Sequence, residues 1–174
     1  MQHLILGGAR SGKSNYAEQF AESSKKEVIY IATGTAGDEE MRERIARHKE
    51  DRPRYWVTVE EPIALADTLA EYDNPRYFLL VDCLTLWLSN ILFDAEGNYQ
   101  EDIFLQQKQA LLSGLLRLDA DIALVSNEVG LGVTPMDKMS RRFVDEAGRL
   151  HQQLAQQCSH VSLITAGLAQ ALKQ

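Results

Sequence analysis

Residues 3–14, His3-Leu4-Ile5-Leu6-Gly7-Gly8-Ala9-Arg10-Ser11-Gly12-Lys13-Ser14, are the stretch that decides the fold of this chain. A short apolar run leads into the pattern Gly-x-x-x-x-Gly-Lys-Ser, and a helix-forming segment, residues 15–22, follows directly. A buried strand, a glycine-rich loop and a helix N-terminus in this order form a cradle of backbone N–H groups for a polyphosphate. The stretch therefore predicts a phosphate-binding loop.

The residue types of this loop each have a chemical reason to be there. Glycines let the backbone curl around a phosphate, Lys13 supplies a mobile charge for the β and γ phosphates, and the Ser14 hydroxyl can bind Mg²⁺. The alternative, a glycine-rich turn with a stray lysine, leaves the flanking strand and helix unexplained. We therefore expect the nucleotide-binding residues of the loop to be Gly7, Gly8, Ala9, Arg10, Ser11, Gly12, Lys13 and Ser14, with Lys13 also catalytic.

Composition and charge limit the class of protein. The chain has 174 residues, of which 45% are hydrophobic and 25% charged, as in one globular domain. Its formal net charge of −7 argues against a nucleic-acid partner, because phosphate backbones attract clustered Lys and Arg. No apolar run approaches the ~18 residues of a membrane span, and no signal-peptide pattern opens the sequence. We expect a cytoplasmic protein.

The cysteines, and the histidines other than His48, say little about function. Cys83 and Cys158 lie far apart, without a CxxC partner or a histidine at zinc-site spacing, so they are expected to be buried or half-buried thiols. His3, His151 and His160 are expected at the surface or at strand ends.

Strand-like and helix-like segments alternate along the rest of the chain. Strands are predicted at residues 27–32, 55–59, 76–82, 121–127 and 160–165, and helices at 38–50, 63–71, 84–93, 101–118 and 137–157. Such alternation predicts a mainly parallel sheet with helices on both faces, the P-loop NTPase fold, as a single domain over residues 1–174. Ligands then bind at the carboxyl ends of the strands, in the loops after residues 6, 32, 82, 127 and 165.

Asp82 ends a continuous apolar strand, which is where such folds place a carboxylate for the nucleotide's Mg²⁺. In isolation, an acid that caps the next helix explains the same position. Because the chain also carries the phosphate loop, we favour a metal site made by Ser14 and Asp82.

His48 is a candidate nucleophile with a plain alternative. A histidine on the apolar stripe of a helix is usually a half-buried structural residue. Here, however, the helix starts at the predicted ligand edge, and a neutral imidazole can attack phosphorus. Lys49 and Arg52 could bind phosphates beside it. Arginines are common on exposed helix faces, so Arg141, Arg142 and Arg149 of the late helix are not included among the catalytic residues.

With these residues in view, the chain resembles the bifunctional adenosylcobinamide kinase / adenosylcobinamide-phosphate guanylyltransferase family of cobalamin synthesis. The resemblance covers nearly the whole chain. It rests on the phosphate loop, on Tyr30-Ile31-Ala32-Thr33, on Arg44-Ile45-Ala46-Arg47-His48-Lys49 with Arg52-Pro53, on Asp82-Cys83-Leu84-Thr85, on Ser126-Asn127-Glu128-Val129-Gly130 with Gly132 and Pro135, and on Arg142-Phe143 with Asp145, Gly148 and Arg149.

The resemblance implies two reactions. ATP or GTP first phosphorylates the aminopropanol hydroxyl of adenosylcobinamide, and GTP then transfers GMP to that phosphate through a histidine-GMP intermediate, here at His48. It also implies Mg²⁺, a homo-oligomer, typically a trimer, and further nucleotide contacts from Ala32, Thr33, Gly34, Lys49, Glu50, Asp51, Arg52, Glu60 and Asp82. Arg47 stands where some members have a second histidine, which makes the assignment of His48 less ambiguous.

Three other functions stay open from the residues alone. A single-function P-loop kinase for another small alcohol would use the phosphate loop and Asp82 but not His48. A GTP-dependent switch would lack its usual guanine-reading motif, since Asn-Lys-x-Asp does not occur in the sequence. A non-enzymatic nucleotide-binding module would bind without turnover.

Overall fold

A seven-stranded, mostly parallel sheet runs through residues 1–35 and 53–174, which are the residues that this computed structural model describes. Its strands are β1 (Gln2–Gly7), β2 (Glu27–Ala32), β3 (Val57–Glu60), β4 (Tyr77–Asp82), β5 (Asp121–Asn127), β6 (His160–Thr165) and β7 (Leu168–Lys173). They lie in the order β3-β2-β4-β5-β1-β6-β7, and only the β6–β7 pair is antiparallel among them. The predicted α/β fold with a mainly parallel sheet is confirmed.

The central strands are apolar because both faces of the sheet are covered. In β4, the residues from Phe78 to Val81 are buried, and in β5 those from Ile122 to Ser126 are buried. Strands covered on both faces are expected to form continuous apolar runs of this kind.

The helices divide between the two faces. They are α1 (Lys13–Ser23), α2 (Leu65–Glu71), α3 (Leu84–Leu92), α4 (Glu101–Leu115) and α5 (Lys138–Gln157). Ala17 and Ala21 of α1 pack in one core cluster with Ile5 of β1 and Val125 of β5. The second, larger core cluster lies on the other face and takes its helix residues from α2, α3, α4 and α5.

The end of the chain differs from the prediction. No element is predicted after β6, but residues 168–173 form β7, which returns antiparallel along β6. Ala166 and Gly167 make the reversal with positive φ angles of 51° and 79°. The predicted helix at residues 38–50 lies outside the described residues.

Two histidines expected at the surface or at strand ends are buried. His3 and His151 are 3% and 7% exposed. Burial and the nearby His160 lower the pKa of His3 to about 4, so its imidazole is neutral at pH 7. The thiol prediction is confirmed, since Cys83 and Cys158 are free and buried, and burial raises the pKa of Cys158 to about 11.

Within residues 1–35 and 53–174, no helix is long and apolar enough to cross a membrane.

Candidate active site

The phosphate loop connects β1 to α1 at the carboxyl edge of the sheet. Helix α1 begins at Lys13, directly after Gly12, whose φ of 93° suits a residue without a side chain. The backbone N–H of Ser11 and the ammonium of Lys13 both donate to the Gly8 carbonyl, at 3.2 and 3.3 Å. The loop is therefore already curled, with the N–H groups of the first helical turn beside it.

The β6–β7 hairpin supports this loop from one side. Gly167 donates its backbone N–H to the Ser11 carbonyl at 2.8 Å. A Cβ atom on Gly7 would lie 2.7 Å from the Ile164 carbonyl oxygen, so the loop backbone packs tightly against β6. The buried Ser11 hydroxyl has no hydrogen-bond partner among the described residues. A buried hydroxyl without a partner inside a phosphate cradle fits a site shaped for a polar ligand.

The charges of Asp82 and Lys13 both act on the buried Cys83 thiol. Burial raises the pKa of Cys83 and the Asp82 charge raises it further, while the Lys13 charge acts in the opposite direction. The Asp82 carboxylate also accepts a hydrogen bond of 3.0 Å from the Tyr30 hydroxyl. The structure thus places the predicted metal carboxylate and the predicted phosphate-binding lysine within electrostatic reach of the same side chain.

The donor types at this edge suit Mg²⁺. The Ser14 hydroxyl and the Asp82 carboxylate are hard oxygen donors, and both residues are half-buried. No group of three or more His, Cys, Asp or Glu side chains in the described residues could hold a metal by itself. A magnesium ion held here would complete its coordination with phosphate oxygens and water, as is usual for this ion.

The end of β2 contributes a structural threonine. Thr33 is fully buried, and its hydroxyl donates to the Cys83 carbonyl at 2.6 Å and accepts from the Cys83 N–H at 3.0 Å. These bonds tie the end of β2 to the turn after β4. Ala32 pairs with Glu60 across β2 and β3, so the predicted nucleotide contacts Ala32, Thr33, Gly34 and Glu60 gather at the same edge.

A buried polar network that the sequence analysis did not predict lies at the end of β5. His151 of α5 contacts the Ser126 hydroxyl through Nε2 at 2.8 Å, and its Nδ1 lies 3.9 Å from the Glu128 carboxylate. Burial lowers the pKa of His151, and the Glu128 charge partly opposes this. Thr85 accepts a 2.7 Å hydrogen bond from the Asn127 N–H and lies 3.4 Å from Ser126. The signal in the sequence was an apolar strand that ends in polar residues, as β4 does.

The three late arginines contact residues of α5 and of the segments around it. Arg149 and Arg142 make ion pairs with the buried carboxylate of Glu146, at 2.6 and 3.3 Å. The Arg142 guanidinium also lies 4.5 Å from the centre of the Tyr99 ring. Arg141 donates to the Pro135 carbonyl at 3.1 Å. These contacts link helix α5 to the segments around it.

The predicted nucleophile and its neighbours lie outside the described residues. These are His48, Lys49, Glu50, Asp51 and Arg52. Their positions at the site therefore stay a prediction.

Comparisons with known proteins point to one family. A family model described as cobinamide kinase / cobinamide phosphate guanyltransferase matches residues 3–172. The chain is 51% identical over 173 residues to the bifunctional adenosylcobalamin biosynthesis protein CobP of Pseudomonas aeruginosa, covering 99% of this chain and 98% of that protein. It is 38% identical over 182 residues to the bifunctional adenosylcobalamin biosynthesis protein CobU of Escherichia coli, covering 99% and 100%.

Similar solved structures bear on the fold alone. A Pyrococcus horikoshii OT3 protein, studied as PH0250, superposes with a TM-score of 0.55 at 10% identity and covers 99% of this chain and 86% of its own. The RadB recombinase superposes with a TM-score of 0.50 at 15% identity, covering 93% and 73%. These likenesses agree with the P-loop NTPase architecture described above.

Proposed function

The chain belongs to the cobinamide kinase / cobinamide phosphate guanyltransferase family, and from this membership we propose that it phosphorylates adenosylcobinamide and then attaches GMP to the new phosphate. The structural observation that carries the proposal is the curled phosphate loop, with the charges of Lys13 and Asp82 both within reach of Cys83. This arrangement supports the transfer of groups from a nucleoside triphosphate.

In the first reaction, the aminopropanol hydroxyl oxygen attacks the γ-phosphorus of ATP or GTP. The bond from that phosphorus to the β–γ bridging oxygen breaks, the nucleoside diphosphate leaves with the electron pair, and the hydroxyl proton passes to solvent. The loop N–H groups and Lys13 hold the phosphate oxygens in line and stabilise their charge. When bound through Ser14 and Asp82, Mg²⁺ would neutralise charge on the β and γ oxygens.

In the second reaction, His48 is the proposed nucleophile. Its neutral imidazole nitrogen attacks the α-phosphorus of GTP and pyrophosphate leaves, which forms a phosphorus–nitrogen bond. A phosphate oxygen of adenosylcobinamide phosphate then displaces the histidine and yields adenosylcobinamide-GDP. Lys49, Glu50, Asp51 and Arg52 are proposed as nucleotide contacts beside it. Support comes from the family membership and from the ends of β2 and β3, which put Ala32 beside Glu60 at this edge.

The same proposal includes a homo-oligomer, a trimer by resemblance, and a location in the cytoplasm with other enzymes of small-molecule synthesis. Its support is the family resemblance and the high identity to bacterial biosynthetic proteins.

The experiment that tests the histidine step uses GTP labelled at the α-phosphate. Wild type, His48→Ala and Lys13→Ala are each incubated with this GTP and Mg²⁺, denatured, and treated with acid or base. We expect wild type to keep a label that acid removes and base does not, and His48→Ala to keep none. Lys13→Ala should label more slowly, because it loses a phosphate contact and keeps the nucleophile.

A wild-type protein that binds GTP but takes no label would contradict the second reaction. The function would then reduce to that of a single-function P-loop kinase, for which the phosphate loop and Asp82 suffice.

A further inference from the structure

The carboxyl end of β5 lies beside the phosphate loop, and none of the predicted site residues comes from it. Asn127 is the last residue of β5, and it pairs in register with Gly7, the first residue of the loop. Asp82 pairs with Val125, two residues earlier on β5. Because neighbouring strands are about 4.8 Å apart and each residue advances about 3.3 Å, Asn127 lies about 5 Å from Gly7 and about 8 Å from Asp82 between Cα atoms.

The alternation of side chains assigns Asn127 to the face that carries the phosphate loop. Ala123 and Val125 of β5 belong to the core cluster that contains Ala17 and Ala21 of α1. Since side chains alternate along a strand, Asn127 belongs to this α1 face. Asp82 belongs to the α1 face for the same reason, since it lies two residues after Leu80, which is in the same core cluster.

Ser126 belongs to the opposite face, where its contacts hold the strand end in position. Its hydroxyl contacts His151 of α5 at 2.8 Å, and both residues are buried. Polar networks that are buried and hydrogen-bonded keep the backbone around them in one position.

Two hydrogen bonds donated by backbone N–H groups fix the position of Asn127. Its own N–H donates to the Thr85 hydroxyl at 2.7 Å, and the N–H of the next residue, Glu128, donates to the Gly7 carbonyl at 3.0 Å. The strand end is thus tied both to the helix that follows Asp82 and to the start of the phosphate loop.

The side chain of Asn127, in contrast, is half-buried, and among the described residues Asn127 donates a hydrogen bond to a side chain only through its backbone N–H. An asparagine amide carries two N–H donors, and the terminal phosphate of a nucleoside triphosphate offers only acceptor oxygens. We propose that Asn127 is a further nucleotide-binding residue, whose side-chain amide donates to a γ-phosphate oxygen. The Thr85 hydroxyl accepts from the backbone N–H of Asn127 and so holds the strand end in place.

This contact makes the protein bind a nucleoside triphosphate more tightly than a nucleoside diphosphate. The loop residues grip the phosphates from the α1 side, whereas Asn127 contacts the terminal phosphate from the neighbouring strand. The inference rests on the proposed function in taking a nucleoside triphosphate as the ligand. A donor to a charged oxygen contributes enough that its loss weakens binding about ten- to a hundredfold.

The test compares the affinities of two probes, GDP and the β,γ-imido analogue of GTP, each with Mg²⁺ and measured by calorimetry. For Asn127→Ala, we expect the dissociation constant of the imido analogue to rise at least tenfold and that of GDP to change less than twofold. Asn127→Asp keeps the shape and replaces the donor by a charged acceptor, so it should bind the analogue more weakly still. Equal affinities of wild type and both variants for the analogue would overturn the proposal.

Two substitutions of Thr85 distinguish a positioning role of its hydroxyl from a general effect on folding. Thr85→Ser keeps the oxygen that accepts from Asn127, whereas Thr85→Val keeps the shape and removes it. We expect Thr85→Val to lose affinity for the imido analogue selectively and Thr85→Ser to bind it nearly as wild type does. Equal losses for both probes in Thr85→Val would overturn the positioning role.

Failure of this inference is distinct from failure of the proposed function. If wild type binds the analogue but does not phosphorylate adenosylcobinamide, the proposed function fails. The affinities of Asn127→Ala for GDP and for the imido analogue still decide the role of Asn127. If wild type is active and Asn127→Ala binds the analogue normally, the inference alone fails. If wild type binds neither probe, both are overturned.

Discussion

Gly7→Ala should damage the phosphate loop through one misplaced methyl group. The added Cβ would lie 2.7 Å from the Ile164 carbonyl oxygen and would overlap the Ser11 hydroxyl. Carbonyl oxygen and Cβ normally stay well beyond this distance, and Ile164 belongs to a strand paired with β1, so its carbonyl cannot move alone. The loop backbone must therefore shift away from β6.

The expected cost follows from two opposing effects. Overpacking a tight site destabilises a protein by about 1–3 kcal/mol. Replacing glycine by alanine also reduces the conformational entropy of the unfolded chain, which stabilises the folded state by about 0.4–1 kcal/mol. We expect a net loss of about 1–2 kcal/mol in the free energy of unfolding, or a melting temperature lower by about 2–8 °C for a chain of this length. Because Ser11 is displaced with the loop, GTP affinity should fall at least about tenfold, the equivalent of 1.4 kcal/mol.

Gly8→Ala is the matched control one residue along. No atom lies within 4 Å of a Cβ at Gly8, and its carbonyl, which accepts from Ser11 and Lys13, is retained. Its stability should stay within about 0.5 kcal/mol of wild type. Urea unfolding gives the stabilities and calorimetry gives the affinities for GTP. Equal stability in the two variants would refute the inference that the loop is shaped by contact with β6.

Three further changes test other parts of the structure by urea unfolding. Thr33→Val removes both hydrogen bonds to Cys83 and should cost about 2–4 kcal/mol, whereas Thr33→Ser should cost less than half as much; equal costs would refute the bonding role. His3 stays neutral in the folded chain down to about pH 4 but protonates near pH 6.5 when unfolded. Since the unfolded chain then binds the extra proton, stability should fall by about 3 kcal/mol as the pH drops from 6.5 to 4. His3→Gln should remove that part of the fall, and an unchanged pH profile would contradict the assignment. Trp87→Phe leaves a void and removes the 2.9 Å hydrogen bond to the Ile63 carbonyl, so we expect a loss of about 2–4 kcal/mol; a loss below about 0.5 kcal/mol would show that the core closes around the smaller ring.

The fold could be predicted from the sequence where local patterns and burial agree. The loop at residues 7–14 is marked by its glycines and Lys13 between a strand and a helix, and the apolar runs that became β1, β4 and β5 are covered on both faces. Strand β7 could not be found in this way. Its sequence, Leu-Ala-Gln-Ala-Leu-Lys, favours helix by propensity, and every side chain in it is exposed. It is a strand because the turn at Ala166 and Gly167 returns it along β6.

The candidate site also contains residues that could be predicted from the sequence and residues that could not. The place of Asp82 at the ligand edge was predictable, because it ends an apolar strand and parallel strands end together at that edge. The burial of His3 and His151 was not, since it depends on Ser162 and Ser126, which lie 159 and 25 residues away in the chain. Asn127 also ends an apolar strand, but its place beside Gly7 follows from the strand order and cannot be read from the sequence alone.

The measurement that tests the central claim most directly follows two labels into one product. The purified chain is given adenosylcobinamide, Mg²⁺ and GTP, with the label at the γ-phosphate in one sample and at the α-phosphate in another, and the corrinoids are then separated. Our account predicts that both labels end in the corrinoid, because adenosylcobinamide-GDP keeps the γ-phosphoryl group of one GTP and the α-phosphate of a second. If only the γ label is transferred, the chain is a kinase alone, and if neither is transferred, it is a nucleotide-binding protein without this activity.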